Sequence, residues 1–445
     1  MAEVTPTENG PVRAYVIHPD LVSGRPQRRG PEHALAEAVA LAHALPGTQI
    51  VGSEVARLRS PDAGRLFGKG KLAEIGARLA EAEAELVLVD GPVTPVQQRN
   101  LEKEWDIKLL DRTGLILEIF ADRARSREGV LQVELAAMAY QRTRLVRAWT
   151  HLERQRGGYG FVGGPGETQL EADRRAIDDQ IVRLRRQLDR VVKTRKLHRA
   201  ARARVPYPVV ALVGYTNSGK STLFNRLTGA HVMAKDMLFA TLDPTMRALH
   251  LPDAGGGQSG RRIILSDTVG FISDLPHELV AAFRATLEEV LSADLILHIR
   301  DISHPETEEQ AADVADILSG LGVAEDVELI EVWNKIDALT PETRAALRRT
   351  DARTEGVQAI SALTGEGVDD LIAAIDLHLA RALDEPRESA LLTLPFADGR
   401  RRAWLHQEGV VEHEENGPDG VTLHLRWNAR QKAAFEALGA EGAGS

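Results

Sequence analysis

A multidomain α/β protein with a mostly parallel central sheet is predicted for this 445-residue chain, and three observations predict it. A buried-strand pattern from Pro206 to Val213 runs into a glycine-rich loop, Gly214-Tyr215-Thr216-Asn217-Ser218-Gly219-Lys220-Ser221, and a helix bearing Leu and Phe follows from Thr222 to Leu227. Two further apolar runs, Ile263 to Leu265 and Val327 to Trp333, each lead into a polar motif, as strands do when their carboxyl ends line a ligand crevice. Upstream, short apolar runs alternate with helical patterns, which argues for a second, smaller parallel sheet with helices on it.

Composition narrows the class. The length suggests about three domains, and 43% apolar residues suffice for ordinary cores. There is no cysteine, so disulfides and Cys-based metal sites are excluded. The polar start, Met1 to Gly10, has no basic region ahead of an apolar core, and no apolar run approaches a membrane span. The expectation is a cytoplasmic monomer. Five regions are predicted: a flexible N-terminus (1–10), an N-terminal α/β domain (11–122), a helical hairpin arm (123–204), the loop-bearing domain (205–385) and a small α+β C-terminal domain (386–445).

The N-terminal domain is read as strands Arg13 to Ile17, Gln49 to Val55, Glu85 to Val89 and Lys108 to Leu110. Helices Glu32 to Leu45, Lys71 to Ala84 and Pro95 to Trp105 fall between them. Thr94-Pro95-x-Gln97 supplies a cap, a proline at the first helical position and a capping-box partner. Gly68-Lys69-Gly70-Lys71 is either a phosphate-binding turn or a plain turn before its helix.

The arm carries a charge asymmetry that the net charge of −10 conceals. From Arg123 to Arg204 there are 20 Lys and Arg against 9 Asp and Glu, a net +11, so the remainder carries −21. A basic segment in an acidic protein points to nucleic acid or another anionic surface, and otherwise to a solvated helix face. Leu131, Leu135, Met138, Arg142, Leu145 and Trp149 form one helical seam, and Leu170, Ile177, Ile181, Leu184, Leu188 and Val191 a second. Thr168-x-x-Glu171 reads as a capping box that starts the second helix. The stretch Gly157 to Gly166 between them, with Tyr159 and Phe161, reads as a non-helical tip whose aromatics suit stacking on RNA bases. A structural spacer between two domains is the alternative.

The glycine-rich loop has the spacing of a phosphate site. Its glycines let backbone N–H groups close around phosphates, Lys220 reaches the β- and γ-phosphates, and the Ser221 hydroxyl ligates Mg2+. Asn334-Lys335-Ile336-Asp337 selects the base: an Asp there accepts from the N1–H and exocyclic amine of guanine, whereas adenine would leave a buried carboxylate unpaired. Ser361-Ala362-Leu363, after the next short strand, offers backbone N–H groups to the guanine O6. Between these lies Asp267-Thr268-Val269-Gly270, whose Asp holds Mg2+ through water and whose Gly270 N–H meets the γ-phosphate. Phe239-Ala240-Thr241-Leu242-Asp243 fits the loop that closes on metal and γ-phosphate, with Thr241 as metal ligand and Thr245 as the alternative beside Pro244. Lys220, Thr241 and Gly270 are the candidate catalytic residues. Phe271 stands where many GTPases orient water with Gln, so slow intrinsic hydrolysis and a partner that completes the site are expected.

The C-terminal unit contributes strands Leu391 to Phe396, Gly409 to His413 and Val421 to Trp427, with Arg400-Arg401-Arg402 and no evident chemistry. Over most of its length the chain resembles the HflX-type GTPases, a ribosome-associated bacterial family. The resemblance rests on Arg127-Glu128-Gly129-x-Leu131-Gln132-Val133-Glu134-Leu135, on Gly164-Pro165-Gly166-Glu167-Thr168-Gln169-Leu170-Glu171 and on the Phe239 to Asp243 and Asp267 to Phe271 segments. It implies a GTPase that binds the large ribosomal subunit and its rRNA rather than DNA, and that separates the subunits of stalled ribosomes. It also implies an arm near the peptidyl-transferase centre and a possible second, ATP-directed activity in the N-terminal domain. The competing expectation is a nucleotide-gated RNA-binding protein with a target other than the mature ribosome.

Overall fold

The computed structural model describes residues 10–21, 29–155, 165–202, 207–230, 238–239, 245–251, 262–273, 290–291, 293–323, 327–351, 354, 356–382, 388–396, 398–407, 410–417, 420–427, 432 and 435. The N-terminal domain alternates as its sequence pattern requires: β1 (Val12–Leu21), α1 (Pro31–His43), β2 (Thr48–Leu58), α2 (Lys69–Glu81), β3 (Leu86–Val89), α3 (Pro95–Trp105), β4 (Lys108–Asp111) and α4 (Arg112–Arg123). The four strands pair in parallel in the order β2-β1-β3-β4. The box at Thr94 forms in both directions, with Gln97 N donating to Thr94 Oγ1 and Thr94 N to Gln97 Oε1. Helix α4 was not anticipated. Its middle, Leu115-Ile116-Leu117 and Ile119-Phe120, is buried on either side of Glu118, and so short an apolar run cannot be told from a buried strand by periodicity.

The arm consists of α5 (Arg127–Gln155) and α6 (Pro165–Arg202), which pack together and share the Arg142–Asp178 ion pair. Helix α6 begins at Pro165, ahead of the expected start at Thr168. A proline's fixed φ suits the first helical turn, and Gly166 follows inside the helix rather than in the tip. Tip residues 156–164, including Tyr159 and Phe161, lie outside the described residues. The predicted seam of α6 is inward, with Ile181 and Leu184 buried. The base of α5 is rooted in the N-terminal domain, where Val133, Ala136 and Ala137 join its core. Tyr140 donates to Asp111 Oδ1 (2.6 Å) and Arg144 reaches Asp111 Oδ2 (3.1 Å).

The loop-bearing domain holds β5 (Val209–Gly214), α7 (Lys220–Thr228), β6 (Thr245–His250), β7 (Arg262–Asp267), β8 (Leu295–Asp301), α8 (Thr307–Leu321), β9 (Glu328–Asn334), α9 (Pro341–Asp351), β10 (Val357–Ala359) and α10 (Val368–Ala382). Its sheet runs β10-β9-β8-β5-β7-β6, with all neighbours parallel except β6 against β7. The central strands are buried on both faces, and the motifs therefore emerge together at the carboxyl ends of β5, β7 and β9. In the C-terminal unit, β11 (Glu388–Leu394), α11 (Gly399–Gln407), β12 (Val411–Gly417) and β13 (Gly420–Trp427) form an antiparallel sheet, β11-β13-β12, over a core that includes Leu405 and Phe435. Among the described residues no helix is long and apolar enough to cross a membrane.

Candidate nucleotide site

The loop between β5 and α7 is bent into an anion cradle by residues that only tight packing would demand. Gly219 has φ +95°, and a Cβ on it would lie 2.1 Å from Asn334 Nδ2, so a larger residue would force the loop off the base-binding strand. Asn334 ties the two together: its Nδ2 donates to Ser218 O (2.8 Å) and its Oδ1 accepts from Ala362 N (2.9 Å). Lys220 is buried at the start of α7, where its Nζ donates to Gly214 O (3.1 Å) and Tyr215 O (2.7 Å). The buried hydroxyls of Thr216 and Ser218 have no hydrogen-bond partner within the protein. A loop whose buried donors await an acceptor is suited to receive phosphate oxygens.

The Asp267 motif meets this cradle from β7. Ser221 Oγ donates to Asp267 Oδ2 (2.8 Å), Asp267 is wholly buried, and Thr268 Oγ1 donates to Leu212 O (2.6 Å). Beyond Gly270 the main chain bonds to the phosphate loop, with Thr216 N donating to Phe271 O (2.7 Å) and Phe271 N to Gly214 O (3.1 Å). Val269 and Phe271 are buried in the core that the two domains share. The segment Asp267 to Ser273 is called switch II below.

At the base end, Lys335 takes a left-handed conformation (φ +65°) and pairs with Asp301 (2.8 Å), and Ile336 and Asp337 start a short 3-10 helix. Asp337 Oδ1 accepts from Ser361 Oγ (2.6 Å). Of the three backbone donors expected to face the base, Ser361 N donates to Glu366 O (2.9 Å) and Ala362 N to Asn334. Leu363 is the one whose N–H enters neither bond. Sequence reasoning missed Arg226, which donates to Ala362 O (2.6 Å) and Leu363 O and so ties the base loop to the helix that follows the phosphate loop. Its signal in the sequence is only a basic residue in the last turn of α7.

Phe239 packs edge-on against Phe120 of the N-terminal domain, with ring centroids 4.7 Å apart. It is therefore a core residue, whatever the rest of its loop does. Ala240, Thr241, Leu242 and Asp243 lie outside the described residues. Thr245, the alternative metal ligand, opens β6 directly opposite Asp267.

Four family models match the chain in sequence order: a GTP-binding GTPase N-terminal region at 32–121, a GTP-binding GTPase middle region at 123–202, a 50S ribosome-binding GTPase at 209–335 and an HflX C-terminal domain at 346–442. GTPase HflX of Magnetococcus marinus is 51% identical over 377 residues, 85% of this chain and 84% of that protein. GTPase HflX of Escherichia coli is 44% identical over 369 residues, 83% and 84% respectively. The chain belongs to the HflX family of GTPases. A putative GTP-binding protein 6 of Xenopus laevis is 34% identical over 94% of this chain and 77% of its own. Among solved structures, the complex of SsGBP with GDP is similar at a TM-score of 0.48 and 23% identity, over 84% of this chain and all of that one.

Membership makes the chain a GTP hydrolase, and the electrostatics of the cradle can be read against the binding of an anionic nucleotide. Burial pulls Lys220 down to about 8, partly offset by Asp267, because the dry loop offers an ammonium no full counter-charge until phosphate arrives. A bound anion raises that value again, so affinity is complete below pH 8 and falls, up to tenfold per pH unit, as pH rises between the free and bound values of Lys220. Titrating a fluorescent guanine nucleotide from about pH 7 to about pH 9 should show this loss. A flat profile would mean that the free loop is not desolvated.

Base selection gives a second expectation. Replacing Asp337 by Asn inverts the acceptor that faces the guanine N1–H, so GTP binding should weaken by roughly 2–4 kcal/mol while xanthosine triphosphate gains. Competition between the two nucleotides measures it, and unchanged GTP affinity in Asp337→Asn would remove the guanine assignment from this residue.

Proposed function

We propose that this protein acts in the cytoplasm as a monomer on the large ribosomal subunit, contacting its rRNA, and that it couples GTP-ordered switch loops to separation of the subunits of stalled ribosomes. The observation that carries this reading is the outer face of α6. Arg183, Arg185, Arg186 and Arg190 are exposed while Ile181 and Leu184 of the same helix are buried; Arg183, Arg186 and Arg190 share one outward face with Arg185 at its flank, an arrangement suited to phosphate. The family model matched at 209–335, described as a 50S ribosome-binding GTPase, supports the same partner.

The residues fit Mg2+. Their donor set is oxygen only, the Ser221 hydroxyl is already held 2.8 Å from a wholly buried Asp267, and such a cation keeps several waters beside one or two protein ligands. Ser221 and Thr241 would be the direct ligands and Asp267 the acceptor for metal-bound water. Such an ion, when bound, would supply positive charge to offset that of the triphosphate. Lys220 stabilises the same oxygens, and the Gly270 N–H reads the γ-phosphate. Phe271 has no group to orient water, so intrinsic turnover is slow and the ribosome completes or positions the site.

Co-sedimentation with ribosomal subunits under GTP, GDP and a non-hydrolysable analogue tests the partner, with retention expected on the large subunit under the analogue. Neutralising the four arginines should lower the slope of log K against log salt by up to about 3 to 4. An unchanged slope would make the α6 face merely solvated, and stimulation of hydrolysis by free RNA as strong as by ribosomes would point to a different target.

A further inference from the structure

The N-terminal domain grips the GTPase site itself, through a buried charge cluster that sequence reasoning did not find. Tyr215 of the phosphate loop places its hydroxyl against this cluster, where it accepts from Arg29 Nη1 (3.0 Å) and Ser273 N (2.9 Å) and donates to Glu37. Arg29 also donates to Ser273 Oγ (2.6 Å) and Glu37 Oε2 (2.7 Å). Arg112 donates to Glu37 Oε1 (2.6 Å), to Asp90 and to the main-chain oxygen of Ser273 (3.0 Å). Burial pushes the Glu37 carboxyl up, but Arg112 and Arg29 outweigh it and hold the group below its ordinary value. Burial and Glu37 push the Tyr215 hydroxyl up, so it stays protonated and able to donate. Switch II is thus fixed at Ser273 through its N–H, its carbonyl and its hydroxyl.

The arrangement so fixed is one that suits a diphosphate. A γ-phosphate has to sit between the Lys220 ammonium and the Gly270 N–H. Here a Cβ added to Gly270 would stand 3.1 Å from Lys220 Nζ and 2.9 Å from Thr216 Cα, so the main chain at Gly270 lies directly against the phosphate loop with the Lys220 ammonium beside it. Seating a γ-phosphate between them requires Gly270 and Lys220 to part, a movement that bears on the adjoining Phe271 bonds to Gly214 and Thr216. GDP makes no such demand.

We propose that Arg112 and Tyr215 are positioning residues that hold switch II in its diphosphate-compatible arrangement, so that the N-terminal domain sets the preference between GTP and GDP. Neither side chain has to touch the nucleotide. They act through Ser273, which lies on the segment that Gly270 must draw away. A contact made in one state and strained in the other is a coupling free energy, and such couplings change relative affinity by about 5- to 150-fold.

The test uses the purified full chain with fluorescent GDP and a non-hydrolysable GTP analogue, and no ribosomes, so it stands or falls apart from the ribosomal reading. Tyr215→Phe deletes one oxygen, and Arg112→Lys keeps the charge but replaces the two-nitrogen fork that reaches Asp90 on one side and Glu37 and Ser273 on the other with a single nitrogen. Each should raise the ratio of analogue affinity to GDP affinity at least about fivefold. Because both act on one clamp, the double variant should change the ratio by less than the product of the two single effects. A merely structural contribution would weaken both nucleotides equally and leave the ratio alone. That outcome in Tyr215→Phe, or independent multiplication in the double variant, overturns the proposal. If Arg112→Lys does not fold, Glu37→Gln, which weakens the carboxylate anchor that Arg112 and Tyr215 share, takes its place in the cycle.

Discussion

A guanidinium can leave water only where carboxylates surround it, and Arg112 is almost fully buried at the junction of two domains. Stripping a single partner from such a group costs about 3–5 kcal/mol, because an uncompensated charge remains in low dielectric. Glu37 and Asp90 supply the compensation from the N-terminal domain, and the Ser273 carbonyl supplies the third acceptor from the GTPase domain. The cluster therefore fixes where one domain sits on the other. Around it the two cores are continuous: Ile116 and Phe120 of α4 share one apolar cluster with Phe239, Val269, Phe271 and Ile272.

Within the GTPase domain, Asn334 plays the corresponding part. A single side-chain amide accepts from the base loop and donates to the phosphate loop, and Gly219 is glycine because that amide needs the space. Phosphate and base recognition are thereby set at a fixed separation before any nucleotide enters. Preorganisation of this kind limits what ordering must cost on binding. It also explains why the serine and alanine of Ser361-Ala362-Leu363 spend their backbone donors inside the protein: they hold the loop that presents Leu363 and Asp337.

What the sequence made legible was local. Phosphate loop, base motif and Asp267 motif are each a run of a few residues at the end of an apolar strand, and the parallel sheet brings those ends together. The Thr94 box was legible for the same reason. Arg29, Glu37 and Arg112 were not, because each reads as an ordinary surface charge on a short helix or loop and the partners are remote, with Arg112 and Ser273 separated by 161 positions. No periodicity encodes such a pairing. Phe239 was assigned to the switch loop by its motif, and its packing on Phe120 became visible only when α4, itself hidden because its short apolar run carries no clear helical period, was in place. The start of α6 was misplaced because a capping pattern at Thr168 competed with a proline that initiates a helix equally well.

Asp111 and Arg112 are neighbours at the end of β4 and the start of α4, and they face different tasks. Asp111 caps α4 by accepting from Gly114 N (2.8 Å) and at the same time binds Tyr140 and Arg144 of the arm. Arg112 binds the carbonyl of Ser273. A rigid turn of helix thus has the arm on one side and switch II on the other, with apolar packing of α5 against α4 backing the arm's attachment. The cap, the ion pair and the core all restrain the same turn, so the arm's base and the cluster around Arg112 share one rigid support. In a chain where the nucleotide site and the arm's tip are far apart in sequence, this dipeptide provides a short covalent path by which either could bias the other, and linkage requires any such bias to run in both directions.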